Sequence, residues 1–215
     1  MGRTGRPRKF DIASSVEAAM LLFWESGYDA TSLAQLRAAM SLSSASFYAA
    51  FGSKEGVFDA AVQRYIESYG RVTLPLADVD LEPREAIETT LRGSVIMQTD
   101  PAHPLGCLIG LGSLIAGADG NRRAALETRR AFDRENIAAL VERAIADGTL
   151  EPPTAVEALA TLLHGFLLGL TPLARDGVDA ETLQASVTEM MRFWDSMHPE
   201  SEANDGMIRG TADHH

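Results

Sequence analysis

Three helix-starting signals crowd between Ser32 and Ser53 and leave the chain little freedom there. Ser32 is followed three residues later by Gln35, the pattern of a reciprocal capping box. Ser43 ends the turn Ser41-Leu42-Ser43 and opens a second segment, and Ser53, behind Gly52, opens a third. The first two helices this spacing allows are short, one ending near Met40 and one near Ala50. Helices of that length are marginal alone in water and must lean on longer neighbours. Such neighbours exist on both sides. Ile12, Val16, Ala19, Met20 and Phe23 mark one face of a helix capped by Asp11 and closed by Gly27. Phe58, Val62, Tyr65 and Tyr69, with Val57 and Ala61 beside them, mark a helix over 53–70. Leu33 and Leu36 are expected to face inward from the first short helix, and Phe47 and Phe51 from the second. Two short helices around a three-residue turn, flanked by longer ones, form a helix-turn-helix.

Helical periodicity continues, and no strand pattern or internal repeat interrupts it. Residues 72–81, with Thr73, Pro75, Asp78 and Asp80, read as a linker. Pro83 starts a helix carrying Ile87, Leu91 and Val95. Residues 105–116 are apolar nearly all round, contain Gly106, Gly110 and Gly112, and read as a closely packed buried helix. A long helix should end at Gly148. Thr154 with Glu157 reads as a capping box before an apolar helix to Arg175, and Asp179 caps the last helix before Pro199. The expected fold is all-α, with about nine helices. The expected divisions are an arm over 1–10, a three-helix helix-turn-helix domain over 11–52, a second helical domain over 53–198, and a polar tail over 199–215.

The net charge of −11 looks unsuited to nucleic acid, but it is unevenly spread. Residues 1–54 carry Arg3, Arg6, Arg8, Lys9, Arg37 and Lys54 against Asp11, Glu17, Glu25 and Asp29, a balance of +2, so the remainder carries −13. A locally basic segment on an acidic body suits DNA docking without indiscriminate sticking. The apolar run 158–174 contains His164 and reads as a buried helix, so no membrane partner is expected. One cysteine, Cys107, excludes an internal disulfide and fits a reducing cytoplasm. No Gly-rich phosphate loop, nucleophile elbow or zinc-protease motif appears, so neither an enzyme nor a cofactor is expected, and His103 and His164 make no metal site.

The stretch AAMLLFWESGYDATSLAQLRAAMSLSSASFYAAFGSKEGVFDAAV, residues 18–62, resembles the N-terminal signature of the TetR family of bacterial repressors. The aromatic and Gly-Tyr end of the first helix, the Thr-Ser cap, the Phe-Tyr pair and the Phe-x-Ser-Lys-Glu transition fall in order. The resemblance implies a homodimer that binds palindromic double-stranded DNA and releases it on sensing a small molecule. The second short helix would then enter the major groove with Ser44, Ala45, Ser46, Tyr48 and Ala49 outward. Ser32, Tyr48 and Lys54 match DNA-contacting positions, and Arg3, Arg6 and Arg8 would reach the minor groove. Two departures stand out. The family's turn glycine is Ser41 here, and the recognition helix lacks Arg, Lys, Asn and Gln, which leaves Arg37 as the candidate for reading guanine.

The resemblance also implies a four-helix dimer interface built from the last two helices. The candidates are Leu159, Leu163, Phe166, Leu167, Leu170, Leu183, Val187, Met190 and Trp194, with Gly165 and Gly169 permitting close approach. An effector cavity is implied as well, with Tyr65, Tyr69, Met97, Cys107, Leu111, Phe132 and Phe166 as candidate lining and an apolar or amphipathic ligand expected. Residues 103–110, HPLGCLIG, resemble a segment in which some family members sense electrophiles or oxidants through the cysteine. Alternatives left open are an activator, a thiol sensor acting through Cys107, and a helical adaptor that no longer binds DNA.

Overall fold

The computed structural model describes residues 12–112, 120–152 and 154–198, without the side chains of 120–125. The arm, the Asp11 cap and the tail lie outside them. Among the described residues the chain is helical throughout and divides into two compact units, the first ending at Ser68 and the second beginning at Tyr69.

The first unit holds α1 (Ile12–Ser26), α2 (Leu33–Ala39), α3 (Ser44–Phe51) and α4 (Lys54–Glu67). All three serine caps form. Ser32 and Gln35 complete the reciprocal box, Ser43 accepts from the Ser46 N–H, and Ser53 accepts from the Gly56 N–H. The short helices are held by aromatic contacts between α1 and α4. Phe23 meets Phe58 edge-on at 5.2 Å, and Trp24 meets Tyr65 edge-on at 5.0 Å. Leu36 and Phe47 are fully buried and tie α2 and α3 to this core. The Ser15 hydroxyl donates to the Met40 carbonyl at 3.1 Å, and Arg64 pairs with Glu17 at 2.6 Å.

Three expectations are corrected here. The fourth helix is not part of the second domain: its inward stripe meets Phe23 and Trp24, so the division falls at Ser68 rather than at 52. It also ends at Glu67 rather than running to Gly70. Ile12 and Leu33 are exposed, because each lies at a helix start beyond the packed turn.

The second unit opens with a 3-10 helix (Tyr69–Ala77), where the sequence reads as a linker. Then follow α5 (Pro83–Thr99), α6 (Leu108–Leu111), α7 (Gly120–Ala146), α8 (Val156–Arg175) and α9 (Ala180–Asp195). Its core interleaves Ile87, Leu91 and Val95 of α5, Ile137, Leu140 and Val141 of α7, Leu159, Leu163, Leu167 and Leu170 of α8, and Leu183, Val187, Met191 and Trp194 of α9. Burial of each large apolar side chain contributes about 1.5–3 kcal/mol. Arg84 of α5 grips Asp195 of α9 with two hydrogen bonds of 2.6 and 2.9 Å and holds Glu88 as well. These neighbours hold the Arg84 guanidinium protonated well above its ordinary range and the Asp195 carboxyl below its own.

The apolar segment at 105–116 is not one helix. Cys107 is the N-cap of the four-residue α6, and residues 113–119 lie outside the described ones. Gly110 is needed there: a Cβ on it would fall 2.6 Å from the Thr171 hydroxyl of α8. The box expected at Thr154 does not form either. Ala155 takes the cap position without a side-chain bond, while the Thr154 hydroxyl donates back to the Glu151 carbonyl.

Two stability predictions follow from this packing. Ser41 sits at φ 55° in the turn between α2 and α3, in the left-handed region that disfavours a side chain. Ser41→Gly is expected to stabilise the first unit by about 1 kcal/mol and Ser41→Val to destabilise it, as read by thermal unfolding. His164 of α8 is buried, and its pKa is lowered first by burial and then by Arg134 and Arg130. The fold therefore favours neutral His164. That contribution is fully present above about pH 6.5, the ordinary histidine value, and is lost as pH falls towards the lowered value. His164→Asn is expected to flatten the acid side of the stability profile; an unchanged slope contradicts this.

Candidate nucleic-acid interface

The surface of the first unit that carries the sequence-predicted contacts is built by α2, α3 and the start of α4. The Ser43 cap fixes the first turn of α3, and burial of Phe47 fixes its rotation. Ser44, Ala45, Ser46, Tyr48, Ala49 and Ala50 are therefore all exposed. Tyr48 is half exposed, with its ring edge-on to Phe47 at 5.5 Å. The Ser46 hydroxyl accepts from the Ser43 hydroxyl at 3.0 Å, so it is partly committed within the turn. Ser32 is exposed, but its hydroxyl is engaged with Gln35.

Arg37 lines an open groove of about 410 Å³ with Ala34, Ala38, Ser41 and Leu42. The Arg37 Nε is buried with no hydrogen-bond partner among the described residues. A buried guanidinium nitrogen left without an acceptor is costly, and an acceptor arriving from outside removes that cost. Arg3, Arg6 and Arg8 lie outside the described residues.

At the start of α4, Lys54 is half-buried. Its ammonium lies 4.0 Å from the centroid of the Tyr28 ring, while the Tyr28 hydroxyl donates to Glu55 at 2.6 Å. The sequence reading singled out Lys54 and missed Tyr28 and Glu55. Tyr28 and Lys54 lie far apart along the chain, and only the Gly-Tyr of the family signature marks the tyrosine.

The candidate cavity residues are divided between the two units. Tyr65 belongs to the first unit, fully buried against Trp24. In the second unit Met97 is buried, Cys107, Leu111 and Phe166 are half-buried, and Phe132 is 45% exposed with Arg129 over its ring. Tyr69 packs edge-on against His103 at 4.7 Å. The Cys107 thiol accepts from the Gly110 N–H, as a cap does. The interior is more polar than the sequence suggests: Thr90, Ser94, Gln98, Asp133, His164 and Thr171 are all buried. Thr171 donates to Gln98 at 2.9 Å, and Asp133 pairs with Arg129 at 3.1 Å. Burial nonetheless pushes the Asp133 carboxyl above its ordinary range.

Most of the candidate interface residues lie in the chain's own core. Leu159, Leu163, Leu167, Leu170, Leu183, Val187 and Trp194 are buried within their own chain, and Phe166 and Met190 pack against that core. Periodicity finds the most apolar stripe of a helix, and on α8 and α9 that stripe is the intrachain core. The outer face of α8 instead presents Ala158, Leu162, Gly165 and Leu173, with Leu162 and Leu173 at 46% and 43% exposure. Phe193 of α9 is 46% exposed. Cβ atoms built on Gly165 and Gly169 meet nothing within 4 Å, so the chain's own packing does not require glycine there.

With this geometry in place, the likeness to known proteins can be stated. Residues 16–61 match the model of bacterial regulatory proteins of the tetR family. The chain is 29% identical to the HTH-type transcriptional repressor ComR of Escherichia coli strain K12, over 88% of this chain and 91% of ComR. It is 32% identical to the repressor BdcR of the same organism, over 49% of this chain and 53% of BdcR. Among solved structures, it is 38% identical to a cysteine-substituted form of the TetR family transcriptional regulator CifR complexed with 26-base-pair double-strand operator DNA. That match has a TM-score of 0.80 and covers 88% of this chain and 100% of the other. An all-helical chain with a helix-turn-helix, matched over nearly its whole length by a member at that identity, belongs to the TetR family of transcriptional regulators.

Proposed function

We propose that this protein is a transcriptional repressor that binds a palindromic operator as a homodimer and is released from it by a small amphipathic molecule held in the second unit. The DNA-binding part rests on one observation above all: α3 presents a continuous face of small residues and one tyrosine, flanked by Lys54 and by the unpaired Arg37 Nε. Small side chains let a helix sit deep in the major groove, where Ser44 and Ser46 meet base edges and Ala45 and Ala49 meet thymine methyls. Arg37 reads guanine, while Tyr48 and Lys54 hold phosphates. The relatives named as repressors and the operator complex of CifR support the reading. Its role is binding rather than catalysis, and a bacterial regulator of this kind works in the cytoplasm.

The dimer forms through the outer face of α8 and the neighbouring part of α9, with Leu162, Leu173 and Phe193 as apolar contacts. Gly165 and Gly169 let the partner helix approach closely. The effector is amphipathic because the second unit's interior combines Met97 and Phe166 with buried hydrogen-bonding groups such as Gln98 and His164.

Two measurements test this reading. Lys54→Ala is expected to weaken binding to duplex DNA and to reduce the salt dependence of log K by about 0.9, the value for one phosphate. Unchanged affinity and slope would remove Lys54 from the interface. Leu162→Glu places a charge on the proposed dimer face without touching the core. It is expected to sediment as a folded monomer, and a stable dimer would move the interface elsewhere.

A further inference from the structure

We propose that Tyr28 is a positioning residue for DNA binding, holding the Lys54 ammonium in place on its ring face before DNA arrives. The inference rests on the DNA-binding reading above. Tyr28 lies just beyond the end of α1, only 6% exposed, and its ring is fixed by its surroundings. Phe23 lies nearly parallel to it at 5.6 Å, Phe58 meets it edge-on at 5.1 Å, and its hydroxyl donates to Glu55 at 2.6 Å. Lys54 lies over this fixed ring with Nζ 4.0 Å from the centroid, well inside the range of a cation–π contact. Donation of the phenolic proton towards a carboxylate leaves more electron density on the ring, which strengthens its attraction for a cation.

A lysine loses much rotamer freedom when it is pinned to a phosphate. The Tyr28 ring narrows that freedom in the unbound protein, so less remains to be lost on docking. Glu55 is the residue next to Lys54, and its carboxylate is engaged by the Tyr28 hydroxyl. One side chain thus organises both charged residues at the start of α4. The recognition helix has no cation of its own, so the placement of Lys54 matters more here than it would beside an arginine-bearing helix.

The test uses the full chain and random-sequence duplex DNA, since phosphate contacts do not depend on sequence. Tyr28→Leu is expected to weaken binding by roughly two- to tenfold, the equivalent of one immobilised long side chain, with the salt slope unchanged because the phosphate is still neutralised. In a Lys54→Ala background the same substitution is expected to change nothing. Tighter binding by Tyr28→Leu would mean that the ring sequesters Lys54, and an equal loss in both backgrounds would mean a merely structural role; either overturns the proposal. If Tyr28→Leu does not fold, Tyr28→Phe is compared with a variant carrying pentafluorophenylalanine at position 28, which has nearly the same shape but a reversed ring quadrupole. Weaker binding by the fluorinated protein supports the proposal, and equal binding overturns it. A wild-type protein that binds no duplex DNA would overturn the DNA-binding reading itself. Wild-type binding that Lys54→Ala leaves intact would overturn only the role of Tyr28.

Discussion

The contact between α1 and α4 organises the first unit, because α2 and α3 are too short to hold themselves. Phe23, Trp24, Phe58 and Tyr65 form two edge-on aromatic pairs across that contact. Edge-on pairs contribute about 0.5–1.5 kcal/mol each beyond the area they bury, and they fix ring orientation as well. Leu36 and Phe47 then anchor the short helices on a surface whose shape is already set. The rotation of α3, and so the set of residues it exposes, follows from where Phe47 is buried. The same cluster holds Tyr28, so the packing of α1 on α4 reaches Lys54 through one ring.

The second unit divides its helices differently. The most apolar stripes of α8 and α9 are consumed by its own core, and a flatter, less apolar face remains outside. A Cβ at 165 or 169 would meet nothing within 4 Å among the described residues. Inside, buried hydroxyl, amide, imidazole and carboxyl groups sit among leucines. Such groups are costly to bury unless partnered, as Thr171 is by Gln98 and Asp133 by Arg129.

What the sequence made legible was local. The serine caps at 32, 43 and 53, the proline at 83 and the cap at Asp179 all depend on residues a few positions apart, and all form. The left-handed turn at Ser41 was visible as a departure from the family's glycine. What the sequence left illegible is of another kind. Periodicity says that a stripe is buried but not against what: Tyr65 meets Trp24 of the first helix. For the same reason the spacing of Leu167 does not tell a partner's helix from the chain's own core, where it packs. Thr154 had the spacing of a cap, yet its hydroxyl turned back to the Glu151 carbonyl. Nothing in the spacing of Tyr28, Lys54 and Glu55 announces their cluster, because it is made by the fold.

The central claim is that α3 enters the major groove of duplex DNA. Site-specific photocrosslinking tests it most directly, with a photoreactive side chain placed at Ala49 of α3 and, separately, at Phe193 of α9. Crosslinks to DNA bases from position 49 and none from position 193 are the expected result. DNA binding without crosslinks from position 49, or with equal yields from both positions, would contradict the account.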